Sequence, residues 1–283
     1  MINFNGTMVA DDANILTQNR GFLYGDAVFE TVKIVKGSIL FLEDHYFRLM
    51  SSMRVVRMEI PMNFTMEYLE ELLLSVADAN NILDSARVRI TVYRNDGGYY
   101  LPTTNDVSYL IHATALEQQQ YSVSSDAYEV DLFKDFYITK QLLSSIKTTN
   151  RILNTTASIF AFENALDNCL LLNDSKNVVE AIQGNIFMRI GTKLITPPVS
   201  EGCLNGVMRK QILALAKKTA TIEMVEEVIS PFDLQKADEI FITNVIKGIQ
   251  PITKYRKKNF NSDLANELVE RLNEQILPNY VVK

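Results

Sequence analysis

A chain of 283 residues, 47% of them hydrophobic, can bury a sizeable core and is long enough for two domains, which excludes a disordered segment. Its net charge of −6 argues against a general nucleic-acid binder, because neutralising phosphates takes a basic face. Two cysteines (Cys169, Cys203) read as buried thiols rather than a disulfide framework, and two histidines (His45, His112) with no Cys/His pair at ligand spacing leave no metal site to expect.

The opening residues Met1-Ile2-Asn3-Phe4-Asn5 lack the charged start and apolar run of a signal peptide. No stretch reaches the ~18 uninterrupted apolar residues of a membrane span, so a cytoplasmic protein without a membrane partner is expected. Ile2 and Phe4 before Asn5-Gly6, with Met8-Val9 after it, predict a hairpin. A second hairpin is expected about Lys36-Gly37-Ser38, joining strands over 31–35 and 39–42. His45, Leu49, Met53 and Val56 recur at helical spacing and predict a helix over 43–58. Leu69, Leu72, Leu73 and Val76 predict another over 65–80, with Thr65 as its cap. Strands follow over 87–94 and 108–116, separated by the turn residues Asn95-Asp96-Gly97-Gly98. Residues 1–116 therefore read as a small N-terminal α/β domain, an antiparallel sheet with helices packed on it. The polar run Glu117-Gln118-Gln119-Gln120 marks a linker over 117–124. Beyond it a larger domain over 125–283 has strands expected at 128–133, 169–172, 185–190, 223–228 and 239–243, and helices at 150–166, 206–218 and 263–277.

Six segments draw the eye in order. They are Arg20-Gly21-Phe22-Leu23-Tyr24-Gly25-Asp26-Ala27-Val28-Phe29-Glu30-Thr31; His45-Tyr46-Phe47-Arg48-Leu49; Lys147-Thr148-Thr149-Asn150-Arg151; Val179-Glu180-Ala181-Ile182-Gln183-Gly184-Asn185-Ile186-Phe187; Thr196-Pro197-Pro198 followed by Leu204-Asn205-Gly206-Val207-Met208-Arg209; and Ala237-Asp238-Glu239-Ile240-Phe241-Ile242-Thr243-Asn244-Val245-Ile246-Lys247-Gly248-Ile249-Gln250-Pro251. Singly, each has a bland reading. A lysine is ordinarily a solvated surface residue, Arg48 an ion pair on an amphipathic helix, and Glu180 an exposed acid after a loop. Together, from residue 20 to residue 251, the set resembles the class IV (fold type IV) pyridoxal-phosphate enzymes: branched-chain aminotransferases, D-amino-acid aminotransferases and aminodeoxychorismate lyases.

That resemblance implies an α/β (α+β) chain with the two-domain fold type IV architecture of the D-amino-acid aminotransferases, working as a homodimer on a small-molecule substrate. It implies pyridoxal 5′-phosphate held by Lys147 as a Schiff base. Glu180 would pair with the ring nitrogen, so that the protonated ring can stabilise a carbanion. Arg48 would bind the phosphate, as a planar guanidinium fork suits. Backbone N–H groups of Gly206, Val207 and Met208 at a helix start would do the same. The family commonly has a threonine at the Met208 position, and many members have one at the Val245 position; both hydroxyls are missing here. The loop carrying Asn244, Val245 and Ile246 would flank cofactor and substrate. Tyr24, Phe29 and Thr31 would line the substrate pocket.

Within the family, four features resemble the lyases: Thr31, Arg151, the Asn205-Gly206-Val207-Met208-Arg209 run and the Asn-containing loop at Asn244. They imply release of pyruvate and 4-aminobenzoate from 4-amino-4-deoxychorismate, a step of folate biosynthesis. In it, catalytic Lys147 removes a proton, catalytic Glu180 tunes the ring, and catalytic Thr31 assists the leaving group. The dicarboxylate substrate needs cationic partners. Arg151 and Arg89 are candidates and Arg94 a weaker one, although strand arginines also serve as solvated edge residues. An amino-acid aminotransferase acting on branched-chain or D-amino acids is the alternative.

Overall fold

Asn5 (φ 50°) and Gly6 (φ 85°) adopt the left-handed conformation that a tight hairpin demands, so β1 (Ile2–Phe4) and β2 (Thr7–Val9) pair as the sequence predicts. The computed structural model describes residues 1–9 and 18–276. Two compact units emerge among the described residues: 1–119 with Ile146–Asn150, and Gln120–Ser145 with residues 151–276.

In the first unit, a short helix α1 (Arg20–Tyr24) leads into β3 (Ala27–Val35) and β4 (Ser38–Ile39). The return strand is shorter than the expected 39–42 because α2 (Leu42–Val55) begins at once, after Phe41 turns the chain at φ 58°. Every residue of β3 is buried, so no polar alternation marks its first four residues. Helix α3 (Met66–Ala79) starts where Thr65 accepts a hydrogen bond from the Tyr68 N–H, a side-chain cap for an otherwise unpaired donor. With β5 (Ser85–Arg94) and β6 (Val107–Ala115), the sheet runs β2-β1-β6-β5-β3-β4, antiparallel throughout. Val28, Val32 and Ile34 of β3 share one core with Val88, Ile90 and Val92 of β5, Leu49 and Met53 of α2, and Leu69, Leu73 and Val76 of α3. The other sheet face carries the alternate residues, Phe29, Thr31 and Lys33 opposite Thr91, Arg89 and Arg87.

The segment Ile146–Asn150 lies against the opening of β3. Phe29 N–H donates to the Lys147 carbonyl (2.8 Å), Thr149 N–H donates to that of Ala27 (3.0 Å), and Val28 bridges Thr148. The helix expected from residue 150 therefore begins only at α4 (Ile152–Glu163).

The second unit is a mixed sheet. Its strands are β7 (Glu129–Ile138), β8 (Asn168–Asn173), β9 (Val178–Ala181), β10 (Gly184–Ile190), β11 (Lys193–Thr196), β12 (Glu223–Glu226), β13 (Glu239–Asn244), β14 (Gly248–Ile252), β15 (Lys254–Tyr255) and β16 (Lys258–Asn259). The main path is β12-β11-β10-β9-β8-β7-β15-β16, with β13 joined to β10 and β14. Helix α5 (Val207–Lys217) and helix α6 (Asp263–Ile276) complete it. Glu239, fully buried, accepts from the N–H groups of Leu264 (3.0 Å) and Ala265 (2.7 Å), so this acid of the sixth motif caps α6 from another strand. Among the described residues no helix is long and apolar enough to cross a membrane, and no group of three or more His, Cys, Asp or Glu could hold a metal ion.

Candidate active site

Phe29 organises the first cluster. The Lys147 amino group lies 4.3 Å from its ring centroid and the Arg89 guanidinium 3.8 Å, two cations on one quadrupole. Thr31 is the direct cross-strand neighbour of Arg89 and is 7% exposed, so hydroxyl and guanidinium share this sheet face. Arg89 also donates from Nε to Thr91 Oγ1 at 3.2 Å. Lys147, Phe29, Thr31 and Arg89 are thus brought together by strand register.

Two motifs meet at Gly25. It ends α1 at φ 64°, and a Cβ there would collide with the Asn150 side chain. Asn150 donates to its carbonyl (3.0 Å), as does Thr149 (3.2 Å). The asparagine three residues after Lys147 therefore fastens the lysine segment to the turn before β3. Tyr24, expected in the pocket, is 36% exposed, with its ring 6.0 Å from that of Tyr100 and the Arg20 guanidinium over it at 4.9 Å. Arg94 does not fit a substrate contact. It is buried, and donates to Asp26, Asn105 and the carbonyls of Val56 and Arg57. Asp26 also accepts from Arg20, whose Nη1 reaches the Gly97, Gly98 and Tyr99 carbonyls. These arginines hold the long β5–β6 connection in place.

Arg48 lies on the core side of β3. Its Nε donates to Glu30 Oε1 (2.6 Å) and its Nη2 to Oε2 (2.7 Å), while His45 meets Oε2 at 2.8 Å. Burial alone would raise the Glu30 carboxyl, but the Arg48 charge and hydrogen bonds from His45 and Arg48 outweigh it and hold the group at about 2. An ionised carboxylate only accepts, so the His45 proton sits on Nδ1. Burial pushes His45 below the usual histidine range, Glu30 opposes that, and Arg48 and Lys147 add to the fall. Motif reading assigns no chemistry to Glu30 or His45. An acid among the apolar residues Val28, Val32 and Ile34 of one strand face, and a histidine three residues before Arg48 on the apolar helix face, are the signals that could have found them.

In the second unit, Glu180 of β9 is 6% exposed and accepts from the Leu204 N–H at 2.8 Å. Asn185 is the hub that motif reading passes over. It pairs in register with Glu180 on one side and Thr243 on the other, and its amide donates to the Leu204 carbonyl at 2.7 Å. An asparagine at the start of a largely apolar strand is the hint. Gly206 caps α5 without a side chain, and a Cβ there would collide with Asn185 Oδ1. Val207 and Met208 follow as the buried first turn. Asn244 Oδ1 accepts from the N–H groups of Ile246 (3.0 Å) and Lys247 (2.9 Å), closing an Asx turn, and the Val245 carbonyl accepts from Tyr121 Oη at 2.6 Å. Glu180, the start of α5 at Gly206 and the turn at Asn244 are thus tied to Asn185 or its strand neighbours, and Arg151 is the residue immediately before α4. The Cys203 thiol beside them is pushed up to about 12 by burial and by the Glu180 charge, and Cys169 to about 12 by burial and Asp131, so both are unreactive.

Residues 27–255 match the family described as amino-transferase class IV. A putative branched-chain-amino-acid aminotransferase of Methanocaldococcus jannaschii is 30% identical over 97% of this chain and 94% of its own. Two solved structures share the fold. The branched-chain amino acid aminotransferase of Thermobaculum terrenum in its PLP form has TM-score 0.82 at 21% identity, covering 99% of this chain and 94% of the other. A putative 4-amino-4-deoxychorismate lyase of Legionella pneumophila has TM-score 0.83 at 20% identity, covering 93% and 96%. With that match across most of its length, the chain belongs to the class IV aminotransferases and is a pyridoxal-phosphate-dependent enzyme of fold type IV.

Proposed function

We propose that this enzyme is a 4-amino-4-deoxychorismate lyase, releasing pyruvate and 4-aminobenzoate for folate synthesis, and that it acts in the cytoplasm as a homodimer. One arrangement carries the reading: a hydroxyl (Thr31) and a guanidinium (Arg89) side by side on the sheet face that presents Lys147. That set suits a substrate bearing an acid and an ether oxygen that must leave.

The residues fit the cofactor. Gly206 leaves the first turn of α5 without a side-chain cap, as an incoming phosphate requires, and Oγ1 of Thr243, the strand partner of Asn185, is buried without a hydrogen-bond partner. Arg48 and the α5 N-terminus would hold the phosphate, Glu180 the ring nitrogen, and Lys147 the reactive carbon. When bound, pyridoxal phosphate supplies a sink for the electron pair left as a carbon bearing an amine loses its proton. Lys147 is the base that takes that proton. Glu180, buried on β9, would pair with the ring nitrogen and favour its protonated form. Thr31 would hydrogen-bond the departing enolpyruvyl oxygen and relay to it a proton from water or from protonated Lys147, its own hydroxyl being restored in the same transfer, and Arg89 and Arg151 would pair with the substrate carboxylates.

The relationship to a putative branched-chain aminotransferase supports a second reading, in which the same lysine returns the proton and a keto acid is the product. Incubation of purified holoenzyme with 4-amino-4-deoxychorismate, and separately with leucine or a D-amino acid plus 2-oxoglutarate, decides between them. Stoichiometric pyruvate and 4-aminobenzoate are expected; keto acid from the amino acids without 4-aminobenzoate would overturn the lyase reading and leave the cofactor in place.

A further inference from the structure

We infer that Glu30 and His45 are positioning residues that set Arg48 to receive a phosphate monoester, an inference that rests on reading Arg48 as the cofactor's phosphate partner. Glu30 is on the β3 face that carries Val28, Val32 and Ile34, in register with Ile90. A carboxylate in that setting is costly unless it is paired and hydrogen-bonded. Sheet-on-helix packing alone favours an apolar residue there. The acid's effect is on Arg48: with Nε held by one oxygen and Nη2 by the other, the guanidinium plane has one orientation. A free arginine loses about 2 kcal/mol of rotamer entropy when it is fixed, and here that loss precedes ligand binding. His45, one helical turn before Arg48, adds a second bond to Oε2 and keeps that oxygen from swinging.

Exposure is graded along the cluster. The Arg48 side chain is 11% exposed, Glu30 2% and His45 0%, so Arg48 is the member of the cluster that reaches the surface. The neighbouring residue Phe29 points to the opposite sheet face and lies against Lys147. Two consecutive residues of β3 therefore fix two cations, one on each face.

The test compares pyridoxal phosphate with pyridoxal, which lacks the phosphate, as ligands of the apoenzyme, using absorbance and fluorescence titration. Glu30→Gln keeps the shape and removes the charge. It should raise the Kd for pyridoxal phosphate about tenfold or more, the worth of a charge-assisted hydrogen bond, while the Kd for pyridoxal changes less than about twofold. In the Arg48→Met background, the same substitution should have no further effect, because the clamp then has nothing to hold. His45→Gln, which retains the Arg48–Glu30 pair, should move the phosphate ligand alone by about threefold, and it serves if Glu30→Gln does not fold. Equal weakening of both ligands, or effects that add to Arg48→Met, would overturn the positioning role and make the cluster structural. A wild-type protein that binds pyridoxal phosphate no better than pyridoxal would overturn instead the reading of Arg48 on which the inference rests.

Discussion

A buried charge cluster has a cost that pH can expose. Glu30 is held at about 2 against an ordinary 4.5, so its contribution to stability is complete above 4.5 and is lost as pH falls towards 2. That gap corresponds to on the order of 3 kcal/mol. His45 also lies below its ordinary 6.5, so the fold favours its neutral form, and stability begins to fall once pH drops below 6.5. Thermal denaturation of the apoenzyme between about pH 7 and about pH 3 should show two successive losses. Glu30→Gln should shrink the lower one, leaving the part due to other carboxylates held low such as Glu201 and Asp233, and an unchanged acid limb in that variant would contradict the assignment. At Lys147 the expected outcome is spectroscopic. The wild type should be yellow, and Lys147→Ala should lose that absorbance; borohydride reduction and peptide mapping that labelled a different lysine would refute the role. Lys147, Glu180 and Arg48 stand out in the sequence as candidates because ordered motifs surround them. Glu30, His45 and Asn185 do not, because their importance lies in which strand or helix faces them, and spacing along the chain carries no such information.

Elements with one apolar stripe read well from sequence. The helices α2, α3, α5 and α6 are amphipathic, and their expected spans agree with the structure to within three residues at each end. Strands β9, β11 and β14 escape such a reading because they are short and largely buried, so neither length nor alternation announces them. The start of α4 differs from its expected place for a tertiary reason: Ile146–Asn150 has its hydrogen bonds with β3. Helix α5 yields the prediction for this scale. Its cap position tolerates no Cβ against Asn185, and its first turn has no side-chain acceptor. Gly206→Ala should force Asn185 aside and break its bond to the Leu204 carbonyl, costing about 1–3 kcal/mol of stability. Pyridoxal-phosphate affinity should fall with it, whereas Asn185→Ala combined with Gly206→Ala should recover part of that affinity by removing the collision. A Gly206→Ala protein with wild-type melting and cofactor affinity would show that the cap is not constrained.

At the scale of the whole molecule, the second unit leaves one apolar face open. Ile152 (75% exposed), Ile159 (52%) and Phe162 (85%) recur along α4 at helical spacing, and no charged residue occurs between Ile152 and Phe162. The opposite side of the helix is satisfied, because Ala157 and Ala161 pack with Phe133, Cys169 and Leu171. Leu142 (65%) and Leu143 (49%), in a short turn of the same unit, are also uncovered. An exposed apolar stripe like that of α4 suits an interaction surface, and family resemblance makes a second copy of the chain the expected occupant. Fully burying one such side chain is worth about 1.5–3 kcal/mol, and in a two-fold interface each substitution counts twice. Light scattering of the wild type should give twice the mass of one chain. Phe162→Asp and Ile159→Asp, each placing two buried charges in the dimer, should shift the equilibrium to the single-chain mass at micromolar concentration. Far-UV circular dichroism should be unchanged, because both side chains point away from the core that holds α4. A wild type that runs as a monomer, or aspartate variants that remain dimeric, would rule this face out as the subunit contact.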